Sequence, residues 1–457
     1  MPKKLFTSVE ISDPKKLVFG KAKKPLRYGF DLEIGNGYVV PELKYFPKPE
    51  RLKDEASSVA VYQEITEQVL KHAINLGAER LQLETELPAI LTENAQWGAS
   101  VTHKQIEIME KYHDEYGLKI GYRATIADLR NVKKGGLRDG FFHTVMDSFE
   151  ANAEAGAHLV SIESFGGKEI IGHAIVHGDI GGVIFATGIL GSIDVAFLWE
   201  NIVNVVKNKS IPAGDTACAH ANSTMILANG LVNRMISHVF SAVVRAISAV
   251  RSLAAYEAGA LGPGKDCGYE NIIIKAITGY PMSMEGKTSA CAHTSLVGNI
   301  ALAAADLWSN ESVEHIRLFA GMAPVVFFEM LNYDCEMLNA SIELGKVDEL
   351  EGIIVHSNAF KDPQALVLTL ESAVRIGKAI VVKKDYYHRS INAAKEAIAI
   401  IEENKEKLKL PKMELLYLKK IKNDLNNLPD DEESFIESKV AYYKKEVSEF
   451  TPDNYGL

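Results

Sequence analysis

Cysteine is scarce in this chain: there are four among 457 residues, Cys218, Cys267, Cys291 and Cys335. None forms a CxxC pair, which excludes a closed zinc knuckle. In a reducing compartment they are not expected as disulfides. Positive charge is also short. Fifty Lys and Arg face 60 Asp and Glu, a net charge of −10, so the basic footprint of a nucleic-acid-binding protein is missing. No apolar run reads as long enough to span a membrane. The start, Met1-Pro2-Lys3-Lys4-Leu5-Phe6, lacks the apolar core of a signal peptide, so a cytoplasmic location is expected. Internal repeats and low-complexity linkers are absent too. What is present is ordinary for a soluble globular protein, 47% hydrophobic and 24% charged. The length suits one large domain with insertions, or two to three smaller ones.

Along the chain, residues 1–50 are rich in Lys, Pro and Gly and read as an arm with a strand around Phe30–Ile34. From about 55 onward, helix-like and strand-like segments alternate. Residues 56–76 and 102–116 are amphipathic at helical spacing, and 81–84 and 118–123 are strand-like. A helix follows at 140–155, then a strand ending at Glu163, helices near 170–178 and 193–207, the strand before Cys218, a helix near 222–250 and a strand before Cys267. Strands alternating with helices of this length argue for βα units and a parallel sheet. Enough recur over 51–360 to close a (β/α)8 barrel, which typically takes about 250 residues; a doubly wound open sheet is the competing architecture. From 361 to 457 the pattern is almost all helical. Its lysines alternate with Glu and Asp as on a solvated helix face, and this region is expected to pack on the main body.

Three residues stand out. Glu163, Cys218 and Cys267 each follow a short β-like run: His158–Ile162, Ser210–Asp215 and Leu253–Glu257. A carboxylate and two thiols presented from three strand ends would make a zinc site with one open position, which a catalytic zinc needs. Each also has a plainer reading. Cys218, in Gly214-Asp-Thr-Ala-Cys-Ala-His-Ala-Asn222, fits a small buried residue at a strand-to-helix turn. Glu163 fits a polar strand-end residue paired with Lys168.

Around Cys267, Gly259-Ala-Leu-Gly-Pro-Gly-Lys-Asp266 imitates a phosphate-binding loop. It ends in Asp where Ser or Thr would bind magnesium, so it reads instead as a rigid loop projecting Cys267. Cys291 and His293 form a weak metal pair against a background of turn chemistry. His173 and His177, at i, i+4, lack the Glu of a zincin site and read as surface or packing residues. Cys335 reads as core.

Taken together, three segments resemble one family closely. They are Gly214–Asn222, Ala255-Tyr-Glu-Ala-Gly-Ala-Leu-Gly-Pro-Gly-Lys-Asp-Cys-Gly-Tyr-Glu-Asn271 and Met284-Glu-Gly-Lys-Thr-Ser-Ala-Cys-Ala-His293. They look like the zinc-bearing catalytic subunit of methanol:corrinoid methyltransferases. The likeness extends to Tyr112-His-Asp-Glu-Tyr-Gly117, Gly191-Ser-Ile-Asp194, Trp308-Ser-Asn-Glu-Ser312 and Asn454-Tyr-Gly456, so it spans the chain. Ala217 departs from it, standing where the family tends to carry a polar residue.

The resemblance implies a (β/α)8 barrel with an added helical region, and one zinc per chain held by Glu163, Cys218 and Cys267. It also implies a corrinoid carried by a partner subunit over the barrel mouth, in an assembly of two copies of each with the catalytic subunit itself dimeric.

The reaction implied is transfer of the methanol methyl group to Co(I), giving methyl-Co(III) and water. The departing oxygen needs a proton. Asp215, His220, Asp266, Glu84 and Glu257, at or near strand ends, are candidates for proton delivery or ligand orientation. The rivals are a zinc-dependent barrel hydrolase, which needs no partner, and a non-enzymatic partner-binding barrel with structural cysteines.

Overall fold

A computed structural model describes residues 4–131, 138, 140–229, 235–287, 296–313, 317–318 and 321–457. The chain first makes an antiparallel hairpin, β1 (Lys21–Tyr28) and β2 (Leu32–Asn36). Seven parallel strands follow: β3 (Val40–Phe46), β4 (Arg80–Leu87), β5 (Lys119–Ile126), β6 (Leu159–Ile162), β7 (Ile211–Asp215), β8 (Ser283–Glu285) and β9 (Leu307–Val313). They form one sheet in the order β7-β6-β5-β4-β3-β9-β8. Helices return the chain from one strand to the next, as parallel pairing requires. The first, Glu55–Asn75, is started by a capping box: Asp54 accepts from the Ser57 backbone N–H at 2.7 Å, and the Ser57 hydroxyl accepts from the Asp54 N–H at 3.1 Å.

The strands alternate strictly between two environments. Leu43, Tyr45, Leu81, Leu83, Ile120 and Tyr122 are buried against the helices. There Tyr45 and Thr66 share a hydrogen bond of 2.7 Å, and Tyr122 donates to Gln105 at 2.9 Å. The opposite faces point to the inside of the curled sheet and are layered. At the strand starts, Val40, Leu159, Ala213 and Leu307 form an apolar cluster with Tyr28, Leu32 and Ile34 of the hairpin. One step along lies a polar layer. Glu42 accepts from Gln82 at 2.5 Å, from Arg123 at 2.8 Å and from the Ser283 hydroxyl. At the strand ends are charges: Lys44, Glu84, Glu86, Lys265 and Asp266.

Several sequence expectations are corrected here. Residues 40–46, placed in the arm, form a central strand paired on both sides, to β4 and β9. Leu253–Glu257 is no strand but the last turn of the helix His238–Glu257, every residue of which from Val239 onward is buried. A wholly buried helix shows no amphipathic period, so a short apolar stretch of it is indistinguishable from a buried strand. The segment that does precede Cys267 lies in the gap between β7 and β8. Leu261 donates its N–H to Pro212 at 2.8 Å, and Gly264 accepts from Ser283 at 3.1 Å. Two helical stretches, Ile180–Val205 and His238–Glu257, are also long and apolar enough to cross a membrane, contrary to the reading above. Both are packed inside the protein as core.

The C-terminal helices grip the helix His238–Glu257 at both ends. Glu414 accepts from the backbone N–H groups of His238 (3.1 Å) and Val239 (3.0 Å) and from the Ser237 hydroxyl (3.0 Å), an anionic cap on the helix N-terminus. At the other end Arg389 clamps Glu257 with two bonds of 2.9 Å.

Candidate metal centre

Glu163, Cys218 and Cys267 emerge at the same end of the sheet. Glu163 directly follows β6, Cys218 begins a π-helical turn, Cys218–Asn222, just past β7, and Cys267 follows the segment in the gap. Their ligand atoms all lie within 4.8 Å of one another. Cys267 Sγ is 2.9 Å from Glu163 Oε1. The Cys267 thiol is pushed well up in pKa, first by its hydrogen bond with Cys218 and then by burial and the Glu163 charge. A set that resists carrying its own negative charge is one that a cation would stabilise.

Buried side chains fix the three loops. Asp215, the last residue of β7, accepts from the N–H groups of Ser164 (3.1 Å) and Thr216 (2.8 Å), and from Trp199 Nε1 (3.1 Å). Arg251 donates to the carbonyls of Thr216 (2.6 Å) and Ser164 (2.7 Å). One carboxylate and one guanidinium thus tie the Glu163 loop to the Cys218 loop. Asn222 does the same for the cysteines, donating to Cys218 Sγ at 3.4 Å and to the Cys267 carbonyl at 3.0 Å, while Arg245 holds its oxygen at 2.8 Å. Glu270 pairs with Arg245 at 3.2 Å and accepts from the Ala217 N–H at 2.8 Å.

On the far side of Glu163, Asp128 accepts from the Phe165 N–H at 2.8 Å and pairs with Arg130. Gly167, with φ of +83°, donates its N–H to Tyr455 at 2.8 Å, so the C-terminal segment braces the same loop. A positive φ there favours glycine.

The charged layer beneath Glu163 centres on Lys265. Its Nζ lies 2.8 Å from Glu84, 2.9 Å from Asp266, and 3.1 Å from both Glu86 and Glu163, and the side chain is 0% exposed. Burial works against its charge, but Asp266, Glu84, Glu163 and Glu86 outweigh that and hold its pKa well above the usual lysine value. Burial likewise pushes the Glu84 carboxyl up, against the pull of Lys265.

Of the five candidates for proton delivery or ligand orientation, Asp215 binds both ligand loops directly. Asp266 accepts from the Cys267 N–H at 2.9 Å, and Glu84 reaches the centre through Lys265. His220 is buried, its pKa lowered well below the usual histidine value by burial and then by Arg251. Its ring bonds Thr187 (2.9 Å) and the Gly166 carbonyl (3.1 Å), bracing the Glu163 loop. Glu257 is a correction: bound to Arg389 and to the Phe6 N–H, it serves the helix end. The alternative Glu163–Lys168 pairing is not formed. Lys168 lies over the Phe165 ring at 4.3 Å.

His173 and His177 stack on each other at 4.1 Å, and Cys335 is buried core. Cys291 and His293 lie outside the described residues. Sequence reasoning missed Lys265, Asn222, Arg245, Arg251 and Glu270. Asn222, Lys265 and Glu270 were within view, in the motif around Cys218, in the imitation phosphate loop and in the segment that follows Cys267.

Beside Glu163 opens a cavity of about 280 Å³, lined mainly by apolar groups such as Phe46, Leu52, Leu87 and Phe165.

A family model described as methanol-cobalamin methyltransferase B subunit matches residues 3–456. A methanol–corrinoid protein co-methyltransferase of Methanosarcina barkeri is 44% identical over 461 residues, covering 100% of both chains. A chain in the crystal structure of the methanol:cobalamin methyltransferase complex of that organism superposes with a TM-score of 0.96 at 43% identity, over 99% of this chain and 100% of that one.

Proposed function

The chain belongs to the methanol-cobalamin methyltransferase B subunit family, and on that premise we propose that Glu163, Cys218 and Cys267 hold one zinc ion at the mouth of a closed (β/α)8 barrel. The chain transfers the methyl group of methanol to a corrinoid carried by a separate protein. The observation that carries the zinc reading is the convergence of two thiols and one carboxylate within 4.8 Å. Thiolate and carboxylate donors suit zinc, and three of them leave a position for substrate, as catalytic zinc sites do. The backbone bonds of the segment 261–266 to β7 and β8 support closure, with that segment as the irregular eighth strand.

When bound, zinc supplies the Lewis acidity that weakens the methanol C–O bond. In the overall change Co(I) gives its electron pair to the methyl carbon, the C–O pair stays on oxygen, and that oxygen takes a proton and leaves as water. The protein's own residues prepare the place. Asp215 and Arg251 hold the two strand-end loops in one register, so the donors stand ready without reorganisation. Asn222 on Cys218 and Thr216 on Cys267, each at 3.4 Å, draw charge off the sulfurs. The cavity beside Glu163, lined mainly by apolar groups such as Phe46, Leu52, Leu87 and Phe165, suits the methyl end of methanol.

The exposed mouth is the docking face for the corrinoid protein, in an assembly of two copies of each subunit. A cytoplasmic setting fits a chemistry that needs free thiols.

The test is a methyl-transfer assay with methanol and the reduced corrinoid protein, before and after chelation of metal. Transfer should be fast with the partner, slow with free cob(I)alamin and abolished without metal. Turnover indifferent to both partner and chelator would overturn the reading, and partner-independent hydrolysis would favour a zinc hydrolase instead.

A further inference from the structure

Zinc with two thiolates and one carboxylate carries a formal charge of about −1, which blunts its Lewis acidity. Among the described residues a cation, Lys265, lies 3.1 Å from Glu163 and is wholly buried. We propose that Lys265 is the fixed counter-charge of the metal centre: a positioning residue whose ammonium, acting through Glu163, offsets part of the site's negative charge and keeps it able to attract an anionic oxygen. This rests on the zinc reading.

Three observations support it. Lys265 is anchored from below by Glu84 and Asp266, so it cannot swing out to solvent. Its loop is rigid around the next ligand, because Asp266 holds the Cys267 N–H while the Lys265 carbonyl accepts from Asn271 at 2.7 Å. A second lysine, Lys44, meets Asp266 and Glu86 at 3.3 Å each. Lys44 thus shares Asp266 and Glu86 with Lys265 and leaves more of the Lys265 charge to act on Glu163.

A structural pin and a counter-charge make different predictions. Loss of a pin misplaces Glu163, so metal affinity and reactivity fall together. Loss of a counter-charge leaves a more anionic donor set, which keeps or tightens its divalent metal while becoming a poorer acceptor of anions. A unit charge about 5 Å from a bound anion, at an effective dielectric constant of about 20–40, changes its affinity by about 10-fold or more.

The experiment uses the full chain loaded with Co²⁺, whose visible spectrum reports its ligands, titrated with azide. Metal uptake is measured first: if the wild-type chain takes up neither Zn²⁺ nor Co²⁺, the zinc reading itself has failed. Given uptake, Lys265→Met should hold Co²⁺ at least as tightly as wild type and bind azide about 10-fold more weakly or worse. Lys265→Arg should restore most of the azide affinity. Lys44→Met should cost stability with a smaller effect on azide. If Lys265→Met does not fold, Glu84→Gln is compared with the double variant Glu84→Gln/Lys265→Met, in which Glu84 leaves no unpaired carboxylate. The lysine's removal should again weaken azide. Unchanged azide affinity on loss of the lysine, or parallel loss of Co²⁺ and azide binding not rescued by arginine, would overturn the proposal.

Discussion

The two ends of the parallel sheet are built from opposite materials. At the strand starts an apolar cluster is capped by the β1–β2 hairpin, and Phe30 exchanges both backbone bonds with Ile120, at 2.9 and 3.1 Å. At the strand ends fully buried charges crowd together: Lys265, Glu84 and Asp266 all have 0% exposed side chains. Burying charge costs several kcal/mol per ion, and well-packed apolar groups in its place are often neutral or stabilising. Stability alone does not explain the second arrangement, since the first end of the same sheet shows how an apolar one is made. The contrast fits a division in which one end holds the fold and the other carries the proposed chemistry, the division known from (β/α)8 barrels.

That division can be broken or sharpened by lesions at each end. The largest effect is expected at the mouth. Cys218→Ser or Cys267→Ser replaces a thiolate by a neutral alcohol and should weaken zinc binding by at least about 100-fold, with thermal unfolding little changed. Calorimetric zinc titration beside a melting curve checks both halves. At the floor the signs reverse. Leu159→Ala leaves a cavity in the apolar cluster and should cost about 2–5 kcal/mol in urea unfolding, while zinc bound per folded chain stays the same.

His158, behind the floor, gives a pH signature. It stacks edge-on against Phe30 at 5.2 Å, and its Nδ1 accepts from the Tyr122 N–H at 3.1 Å. Burial lowers its pKa from 6.5 to about 4. The folded ring therefore stays neutral where the unfolded chain takes up a proton. Its contribution is complete above pH 6.5, declines as pH falls, and is gone near 4, a loss of about 3 kcal/mol at most. His158→Gln should flatten that part of the stability–pH curve, measured on metal-free protein. The smallest effect is Glu163→Gln, which keeps shape and removes charge: zinc affinity should fall by roughly 10-fold or more, taking the effect of groups that orient ligands as a floor. Equal affinities would show that Glu163 is no ligand.

The same contrast explains what was legible beforehand. The convergence of Glu163, Cys218 and Cys267 was readable because rare residue types stand there in glycine-rich loops, and such motifs carry family resemblance. Much of the strand–helix alternation was readable from periodicity. What failed was burial without a period. The helix His238–Glu257 is buried along almost its whole length, so its last turn passed for a strand and Glu257 for a strand-end acid. Arg245 and Arg251 on that helix hold the ligand loops, yet nothing local marks a buried arginine. Strand β3 hid behind Pro41 within it and Pro47 and Pro49 just after it, and the inward Glu42 and Lys44 made it look like an exposed arm. Lys265 was seen but assigned to an imitation phosphate loop, because only the fold shows the four carboxylates around it.

The central claim is that a carboxylate and two thiolates at the strand ends hold a single zinc on which methyl transfer depends. The most direct test is the zinc content per chain of purified wild type and of Cys267→Ser, with methyl transfer measured on the same samples. The account predicts about one zinc per chain and activity in the first, and neither in a variant that still folds. A folded Cys267→Ser chain with full zinc and full activity would contradict it.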